Sequence, residues 1–367
     1  MPNDAALPLV AIPEGATLLH IGAPKTGTSA LQFAASQRRE ELAAKGVIYP
    51  RPDAEAVFQL KHKHAVRSLM AYGRGEVAEP TAWLALLEQR EADPRARTLV
   101  TEELGLLLNR KAIDFARESL GSSASVVLTT RNLEAFIVSL WQQNVRNGRI
   151  TADVGTWLSA FLGPDATERV PKAWRHAGAL RPWVEAFGAE NVTAVVVDKA
   201  DPDRVFRSFA ALLGLDVEDL RPAGEAQDQG RANRGFTAVE TEFALRLGAL
   251  AREEGLSSDE YFRLLHRGAY FRIQSRRTPG PDEARVGVPA AMQGFVRELA
   301  EQQWSVLERL GVTVIGEKDE LVRSGAPAPE SPVKDGMIPI DLAFAAVMGV
   351  LEQASPELAQ RLDLPLD

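Results

Sequence analysis

Short apolar runs alternate with longer segments of mixed polarity through the first half of the chain. Several of these runs are rich in β-branched side chains. They predict buried strands at 18–21, 97–104, 125–130 and 191–198, and a short strand or an extended exit at 47–50. Between them, helical periodicity predicts helices at 29–44, 61–72, 81–91, 112–120, 133–147, 180–188 and 206–213. Strands that alternate with helices favour a three-layer α/β/α fold with a central parallel sheet.

The C-terminal part of the chain has a helical pattern instead. Helices are predicted at 237–254, 258–267 and 290–310, and the last carries an apolar packing stripe of Phe295, Leu299, Trp304 and Leu307. We therefore expect one α/β domain over 1–323, a proline-rich linker over 324–339 and a C-terminal helical segment over 340–367. The terminal segment either docks on the body of the protein or pairs with a second subunit, so a homodimer is one expectation.

A glycine- and hydroxyl-rich turn follows the first strand and leads directly into a helix. Its residues are Pro24, Lys25, Thr26, Gly27, Thr28 and Ser29. Backbone N–H groups of such a turn and the positive end of the next helix form an anion site, which a lysine and hydroxyl groups strengthen. The stretch predicts a P-loop-like site for a phosphate or a similar oxyanion; the alternative is an ordinary strand-to-helix turn.

The spacing within this loop differs from that of nucleotide triphosphatases. Their loop places lysine directly after the second glycine. Here Gly22 and Gly27 have the required separation, but Lys25 precedes Gly27 and Thr28 occupies the lysine position. The loop is therefore a poor match to one that binds ATP with magnesium.

Two further strand ends carry polar residues suited to a ligand. Glu102 and Glu103 lie at the carboxyl end of the third predicted strand, and Arg131 follows the fourth, with Ser139 eight residues later on a helix. Ligands of parallel sheets bind beyond the carboxyl ends of the strands. A guanidinium group and a hydroxyl suit a phosphate monoester, whereas the two glutamates equally suit capping of the next turn.

These motifs together resemble sulfotransferases that use 3'-phosphoadenosine-5'-phosphosulfate (PAPS). The order Pro-Lys-Thr-Gly-Thr-Ser is similar to their 5'-phosphosulfate loop, and Arg131 with Ser139 is similar to their 3'-phosphate pair. The stretch 139–143 is similar to the S-x-Y-x-Q of bacterial members, with Trp141 in place of tyrosine. The resemblance covers about residues 16–250 and continues through a W-x-x-x-F-G segment at 183–188.

The resemblance implies transfer of a sulfuryl group from PAPS to an acceptor hydroxyl, with release of adenosine 3',5'-bisphosphate. Lys25 would stabilise charge on the bridging oxygen, and the loop from Pro24 to Ser29 would orient the phosphosulfate. Arg131 and Ser139 would hold the far phosphate. The acceptor is expected to be a carbohydrate, a lipid or a small alcohol, with no metal required.

The acceptor hydroxyl also needs a general base. The resemblance places a base or a substrate-contacting acid near Glu102, which we rank first, ahead of His64 and then Glu103. His62 and His64 follow the loop and its helix, and each taken singly is expected to be exposed at the surface.

Composition excludes several other classes of protein. The net charge is −8, from 50 acidic and 42 basic residues, which argues against nucleic-acid binding through a broad basic surface. The chain has no cysteine, so disulfides and thiolate chemistry are excluded. No leader pattern or membrane-spanning run is present, so we expect a cytoplasmic protein. An arginine-rich stretch at 263–277 is expected to be a solvated helix face, with ligand binding as the alternative.

Two other functions stay open at this point. A P-loop kinase that uses ATP and magnesium would share the fold, although the lysine is displaced and no magnesium-binding aspartate is evident at a strand end. A non-catalytic nucleotide-binding protein would also retain the fold. Magnesium-dependent ATP binding distinguishes the kinase, and absence of turnover distinguishes the binding protein.

Overall fold

The computed structural model describes residues 9–51, 61–161, 171, 174–222, 234–329 and 337–355. The chain forms two compact units. The first consists of Met1–Leu133, Val170–Ala226 and Arg297–Arg323, and the second of Glu134–Arg169, Gln227–Val296 and Ser324–Asp367. The α/β sheet belongs to the first unit, and helices build the second.

Six parallel strands form the sheet of the first unit. They are β1 (Thr17–Gly22), β2 (Val47–Ile48), β3 (Arg97–Thr101), β4 (Ser125–Arg131), β5 (Val192–Val197) and β6 (Thr313–Ile315), in the spatial order β2-β3-β1-β4-β5-β6. β1 is therefore central, and its register with β4 shifts between His20 and Gly22. The candidate loop follows directly after this shift, at the carboxyl end of β1.

Helices cover both faces of this sheet. Those of the first unit are α1 (Ser29–Gln37), α2 (Arg39–Ala44), α3 (Lys63–Arg74), α4 (Thr81–Glu88), α5 (Arg110–Leu120), α8 (His176–Ala179), α9 (Arg181–Phe187), α10 (Arg204–Leu213), α11 (Val217–Leu220) and α16 (Lys318–Val322). Helix α6 (Leu133–Arg146) begins at the last residue of one segment of this unit and continues into the second unit. Helix α15 (Ala290–Leu310) likewise spans residues of both units.

Alternating side chains of the strands supply two separate cores. Leu18 of β1 packs in one core with Leu31 and Phe209 of α1 and α10. Leu19 belongs to the other core, with Trp83 of α4 among its members. Because successive strand side chains point to opposite faces, both faces of the sheet are buried. The predicted three-layer α/β/α architecture with a central parallel sheet is confirmed.

Several predicted bounds differ from those of the structure. The predicted helix over 29–44 is two helices, which separate at Arg38, where φ is −106° and the backbone is no longer helical. The predicted strand over 97–104 ends at Thr101, because Glu102 caps a short 3₁₀ helix over Glu103–Leu107. The pairing of β3 with β1 also stops at Thr101.

The second unit is helical. Apart from most of α6, it contains α7 (Val154–Ser159), α12 (Ala238–Glu253), α13 (Ser258–Glu260), a π-helix (Tyr261–Tyr270), α14 (Phe271–Arg276) and α17 (Ile340–Ala354). Gly268 and Gly349 allow the π-helix and α17 to touch through their backbones. An added Cβ on Gly268 would lie 2.6 Å from the Gly349 carbonyl oxygen, so no larger residue fits this crossing.

The C-terminal helix agrees in part with the predicted segment. The helix ends at Ala354, and 356–367 of the predicted segment lie outside the described residues. In the predicted linker, 330–336 also lie outside them. The division into 1–323, 324–339 and 340–367 stays a prediction.

The arginine-rich stretch is divided between solvent, which Arg263, Arg267 and Arg276 face, and ion pairs within the protein. Arg277 is 7% exposed, whereas a solvated helix face was expected at that position. Its guanidinium donates to Asp341 at 2.7 Å, to Glu240 at 2.8 Å and to Glu283. Arg272 pairs with Glu352, while Arg276 is exposed. Buried carboxylates explain the difference, since they hold Arg277 away from water.

Candidate phosphate-binding site

The loop after β1 is fixed to the strands on either side of it. The Ala23 N–H donates to the Thr129 carbonyl oxygen of β4 at 2.5 Å. On the other side, an added Cβ on Gly22 would lie 2.8 Å from the Glu103 carbonyl oxygen, and Gly22 has a φ of +116°. Only glycine combines this conformation with such a close approach.

Lys25 lies at the turn of the loop in a left-handed conformation, with a φ of +66°. Its side chain is half-buried. Arg131, at the end of β4, donates from Nη1 to the Lys25 carbonyl oxygen at 2.8 Å. Two of the predicted site residues are thus joined directly, although they are far apart in the sequence.

Arg131 is itself largely removed from solvent. Burial lowers the pKa of its guanidinium, and the nearby Asp198 carboxylate partly offsets this effect. Among the described residues, its side chain has the Lys25 carbonyl as its hydrogen-bond acceptor. Its remaining N–H groups are therefore available to an anionic ligand.

The loop hydroxyls have different environments. Thr26 is buried, and its hydroxyl donates to the Ala23 carbonyl oxygen at 2.7 Å. The Thr28 hydroxyl lies 3.4 Å from Glu103 Oε1, whereas Gly27 and Ser29 are exposed and Pro24 is half-buried. The Thr26 hydroxyl thus stabilises the loop internally, and Ser29 presents its side chain outward.

The first turn of α1 is open to an anion. Thr28 is its N-cap and makes no capping hydrogen bond through its side chain. Within the described part of the chain, no acceptor pairs with the N–H groups of Gly27, Thr28 or Ser29. Unpaired N–H groups at the positive end of a nine-residue helix attract an oxyanion.

A buried polar network lies beneath the loop. His20 is fully buried in β1, with Nδ1 2.8 Å from Thr101 Oγ1 and Nε2 3.0 Å from Thr129 Oγ1. Gln32 of α1 donates to Thr101 Oγ1 at 2.9 Å, and Thr129 Oγ1 also lies 2.8 Å from Thr26 Oγ1. The network connects three neighbouring strands to the loop and to its helix.

His20 is neutral in this environment. Burial lowers the pKa of its imidazole to about 4, and its neighbours' smaller effects do not reverse the shift. Sequence reasoning missed His20, Thr101 and Thr129 as supports of the loop. The available signal was a histidine inside an otherwise apolar strand, with threonines near the ends of two other strands.

The two candidate glutamates lie in different surroundings. Glu102 is 3% exposed; Oε1 accepts from the Leu104 N–H at 3.2 Å, and Oε2 has no partner among the described residues. Burial, and then repulsion from Glu103, raises the pKa of the Glu102 carboxyl. Glu102 therefore combines a capping role with one unsatisfied oxygen.

Glu103 contacts the loop and carries its own counterion. Lys61 Nζ donates to both carboxylate oxygens, at 2.9 and 2.7 Å. Burial acts to raise the pKa of Glu103, but attraction to Lys61 and its hydrogen bonds outweigh burial and hold that pKa below its usual value. Glu103 is thus an ionised carboxylate beside Thr28.

His62 and His64 differ in exposure although they are two residues apart. His64 is exposed in the first turn of α3, as predicted for that residue. His62 is 1% exposed, so the prediction of surface exposure was wrong for it. Its Nε2 donates to the Pro50 carbonyl oxygen at 2.9 Å, and its Nδ1 accepts the Thr101 N–H at 2.9 Å. Both ring nitrogens are satisfied inside the protein, which makes burial favourable.

The remaining predicted residue belongs to the second unit. Ser139 is half-buried on α6, and Trp141 and Gln142 on the same helix are buried. Gln142 donates to the Phe236 carbonyl oxygen at 2.8 Å and to Thr241 Oγ1 at 3.0 Å. The polar part of the 139–143 motif therefore fixes the chain that leads into α12, and the role of Ser139 stays a prediction.

One acid lies at a strand end, where no magnesium-binding aspartate was evident from the sequence. Asp198 directly follows β5 and is 5% exposed. One carboxylate oxygen accepts the Ala200 N–H at 2.9 Å, and the other pairs with Arg323.

No group of three or more histidine, aspartate or glutamate side chains that could hold a metal occurs among the described residues. Within the same residues, no helix is long and apolar enough to cross a membrane.

Comparisons with known proteins give matches among solved structures, and none among family models or curated proteins. A crystal structure of a sulfotransferase from Alicyclobacillus acidocaldarius is similar over 82% of this chain and 96% of that chain, with 16% sequence identity and a TM-score of 0.43. A similarity at this level assigns neither an activity nor site residues to this chain.

Proposed function

We propose that this protein is a sulfotransferase that moves a sulfuryl group from PAPS to an acceptor hydroxyl and releases adenosine 3',5'-bisphosphate. The hydrogen bond between Arg131 and the Lys25 carbonyl oxygen carries the proposal. It joins the loop suited to the phosphosulfate with the arginine suited to the far phosphate. A ligand with two anionic groups matches this pair better than a single phosphate does.

The loop would bind and activate the donor. The N–H groups at the start of α1 and the side chain of Lys25 would orient the phosphosulfate. As the bond from sulfur to the bridging oxygen breaks, negative charge grows on that oxygen, and the Lys25 ammonium would stabilise it. Holding donor and acceptor in line supplies the rest of the rate enhancement, as in phosphoryl transfer.

The far phosphate would bind Arg131, whose remaining N–H groups are available. We keep Ser139 as its second ligand on the basis of the sequence motif. The acceptor is a carbohydrate, a lipid or a small alcohol in this proposal. We further propose that the protein is a homodimer in the cytoplasm and that the transfer requires no metal.

For the general base we propose Glu103 ahead of Glu102 and His64. Its carboxylate is 3.4 Å from the Thr28 hydroxyl, and Lys61 keeps it ionised. Glu102 has a raised pKa that suits a base, but its described contacts cap the 3₁₀ helix. Glu103→Gln, Glu102→Gln and His64→Ala variants, each saturated with PAPS, separate the three. The base is the residue whose loss lowers single-turnover transfer, and equal rates in all three variants would place it elsewhere.

Transfer of radiolabelled sulfate from PAPS to a panel of carbohydrates, lipids and alcohols tests the function. We expect transfer by the wild type and a loss of about 10²–10³-fold in kcat for Lys25→Ala, the usual effect of removing one group that stabilises transition-state charge. Lys45→Ala is the matched control, because Lys45 pairs with Asp219 elsewhere in the same unit. Phosphoryl transfer from ATP with magnesium, and none from PAPS, would contradict the proposal.

A further inference from the structure

Helix α17 exposes an uninterrupted apolar stripe. Ile340, Phe344, Val347 and Leu351 are 87%, 63%, 57% and 38% exposed. Met337 and Ile338, directly before the helix, are 70% and 37% exposed. A soluble protein rarely leaves so many neighbouring large apolar side chains in water, so a stripe of this kind marks an interaction surface.

The other face of α17 is already used. Leu342, Ala345, Ala346 and Gly349 are buried, and Gly349 makes the close crossing with Gly268. Both charged residues of the helix are also paired inside the second unit, Asp341 with Arg277 and Glu352 with Arg272. The stripe itself is therefore apolar; Asp341 next to Ile340 is 54% exposed, but Arg277 balances its charge. A wide apolar face on a helix is normally buried against a partner.

The spacing of the stripe indicates another helix as the partner. Its four residues are separated by four, three and four positions, which is the spacing of alternating d and a residues in a coiled-coil heptad. That spacing reads the same in both directions. A two-fold axis between Phe344 and Val347 therefore places Phe344 opposite Val347 of a second copy, and Ile340 opposite its Leu351.

The side-chain sizes agree with this antiparallel arrangement. It sets a large ring against a small β-branched side chain, whereas a parallel pair would stack ring on ring. The exposed fractions of the six apolar residues amount to on the order of 600 Å² per chain, taking roughly 170 Å² for a fully exposed large apolar side chain. Stable interfaces bury about 800 Å² per partner, so the stripe supplies most of what is needed.

A membrane fits the same face less well. Helices that lie on membranes carry lysine and arginine beside their apolar face. Helix α17 has neither, and the chain has a net charge of −8. We propose that α17 is the interface of a homodimer, in which two copies pair antiparallel through Ile340, Phe344, Val347 and Leu351.

Sedimentation at micromolar concentration tests the proposal. We expect about twice the chain mass of 39.9 kDa for the wild type and the single-chain mass for Phe344→Glu. Leu250→Glu is the matched control, because Leu250 is 50% exposed on α12 of the same unit and should leave the dimer intact. Circular dichroism and a thermal melt should show that Phe344→Glu remains folded. A monomeric wild type, or a dimer unchanged by Phe344→Glu, would overturn the proposal.

Disulfide trapping tests the orientation, because the chain has no cysteine of its own. A mixture of Phe344→Cys and Val347→Cys chains should cross-link on oxidation, whereas either chain alone should stay at the background of Leu250→Cys. Cross-linking of Phe344→Cys chains alone would overturn the antiparallel pairing. A monomer that binds phosphatidylcholine vesicles through Phe344 would identify a membrane surface instead and overturn the dimer.

Discussion

Lowering the pH from 8 to 5 should destabilise the first unit through two buried histidines. His20 and His62 are fully buried, and burial lowers the pKa of each imidazole to about 4, from 6.5 in an unfolded chain. His62 shows the cause most clearly. Its Nδ1 accepts the Thr101 N–H at 2.9 Å, so a proton on that nitrogen would remove the hydrogen bond and place two donors face to face.

The sign and size follow from proton linkage. The unfolded chain binds more protons than the native chain between the two pKa values, so stability is complete above pH 6.5 and falls as the pH drops toward 4. At pH 5, each histidine should contribute about 2 kcal/mol less to the free energy of unfolding than at pH 8. Together they should remove about 4 kcal/mol. Glu102, with its raised pKa, changes stability in the opposite direction.

Urea unfolding from pH 5 to pH 8, followed by circular dichroism, measures this dependence. His20→Gln and His62→Gln should each be less stable at pH 8 but lose less stability on acidification than the wild type does. His64→Gln is the control, because that imidazole is exposed whereas His20 and His62 are buried. A pH dependence identical in all four proteins would refute the assignment of the effect to the buried imidazoles.

Three further outcomes are expected from single substitutions, the first two followed by thermal or urea unfolding and the third by hydrogen exchange. Gly22→Ala should be strongly destabilised, because its φ is +116° and the new Cβ would meet the Glu103 carbonyl oxygen at 2.8 Å; Gly27→Ala, with open space around it, should cost only about 1 kcal/mol, and equal losses would contradict this contrast. Arg277→Met should cost about 3–5 kcal/mol, since it leaves a buried carboxylate cluster without its main counterion; a change below 1 kcal/mol would contradict that role. Gly349→Ala should loosen α17, seen as faster hydrogen exchange of its amides, because its Cβ would lie 2.4 Å from the Gly268 carbonyl oxygen; unchanged exchange would argue against the close crossing.

The layered fold could be predicted because both of its signals are local. Apolar runs such as the one that becomes β4 are short, rich in β-branched residues and separated by amphipathic segments, so strand and helix periods are easily distinguished. Element ends were less predictable. Strand β3 ends at Thr101, but the sequence after it returns to an apolar residue at Leu104 and does not mark that end. In the structure, the cap made by Glu102 shows where the 3₁₀ helix begins.

The candidate site could be predicted only in outline. Lys25 and Arg131 stand out by residue type and position, and the structure joins them through one hydrogen bond. The support beneath them depends on contacts between distant strands, which sequence spacing does not reveal. His62 illustrates this limit: its residue type suggested exposure, whereas the Pro50 carbonyl and the Thr101 N–H make its burial favourable.

The proposed function requires the loop and Arg131 to bind together one nucleotide that carries two separated anionic groups. Calorimetry with adenosine 3',5'-bisphosphate in the absence of magnesium tests it most directly, because no acceptor needs to be known. We predict binding by the wild type and at least roughly tenfold weaker binding by Lys25→Ala and by Arg131→Gln, the loss expected for removing a charged hydrogen bond. Absence of binding, or ATP binding that requires magnesium, would contradict the account.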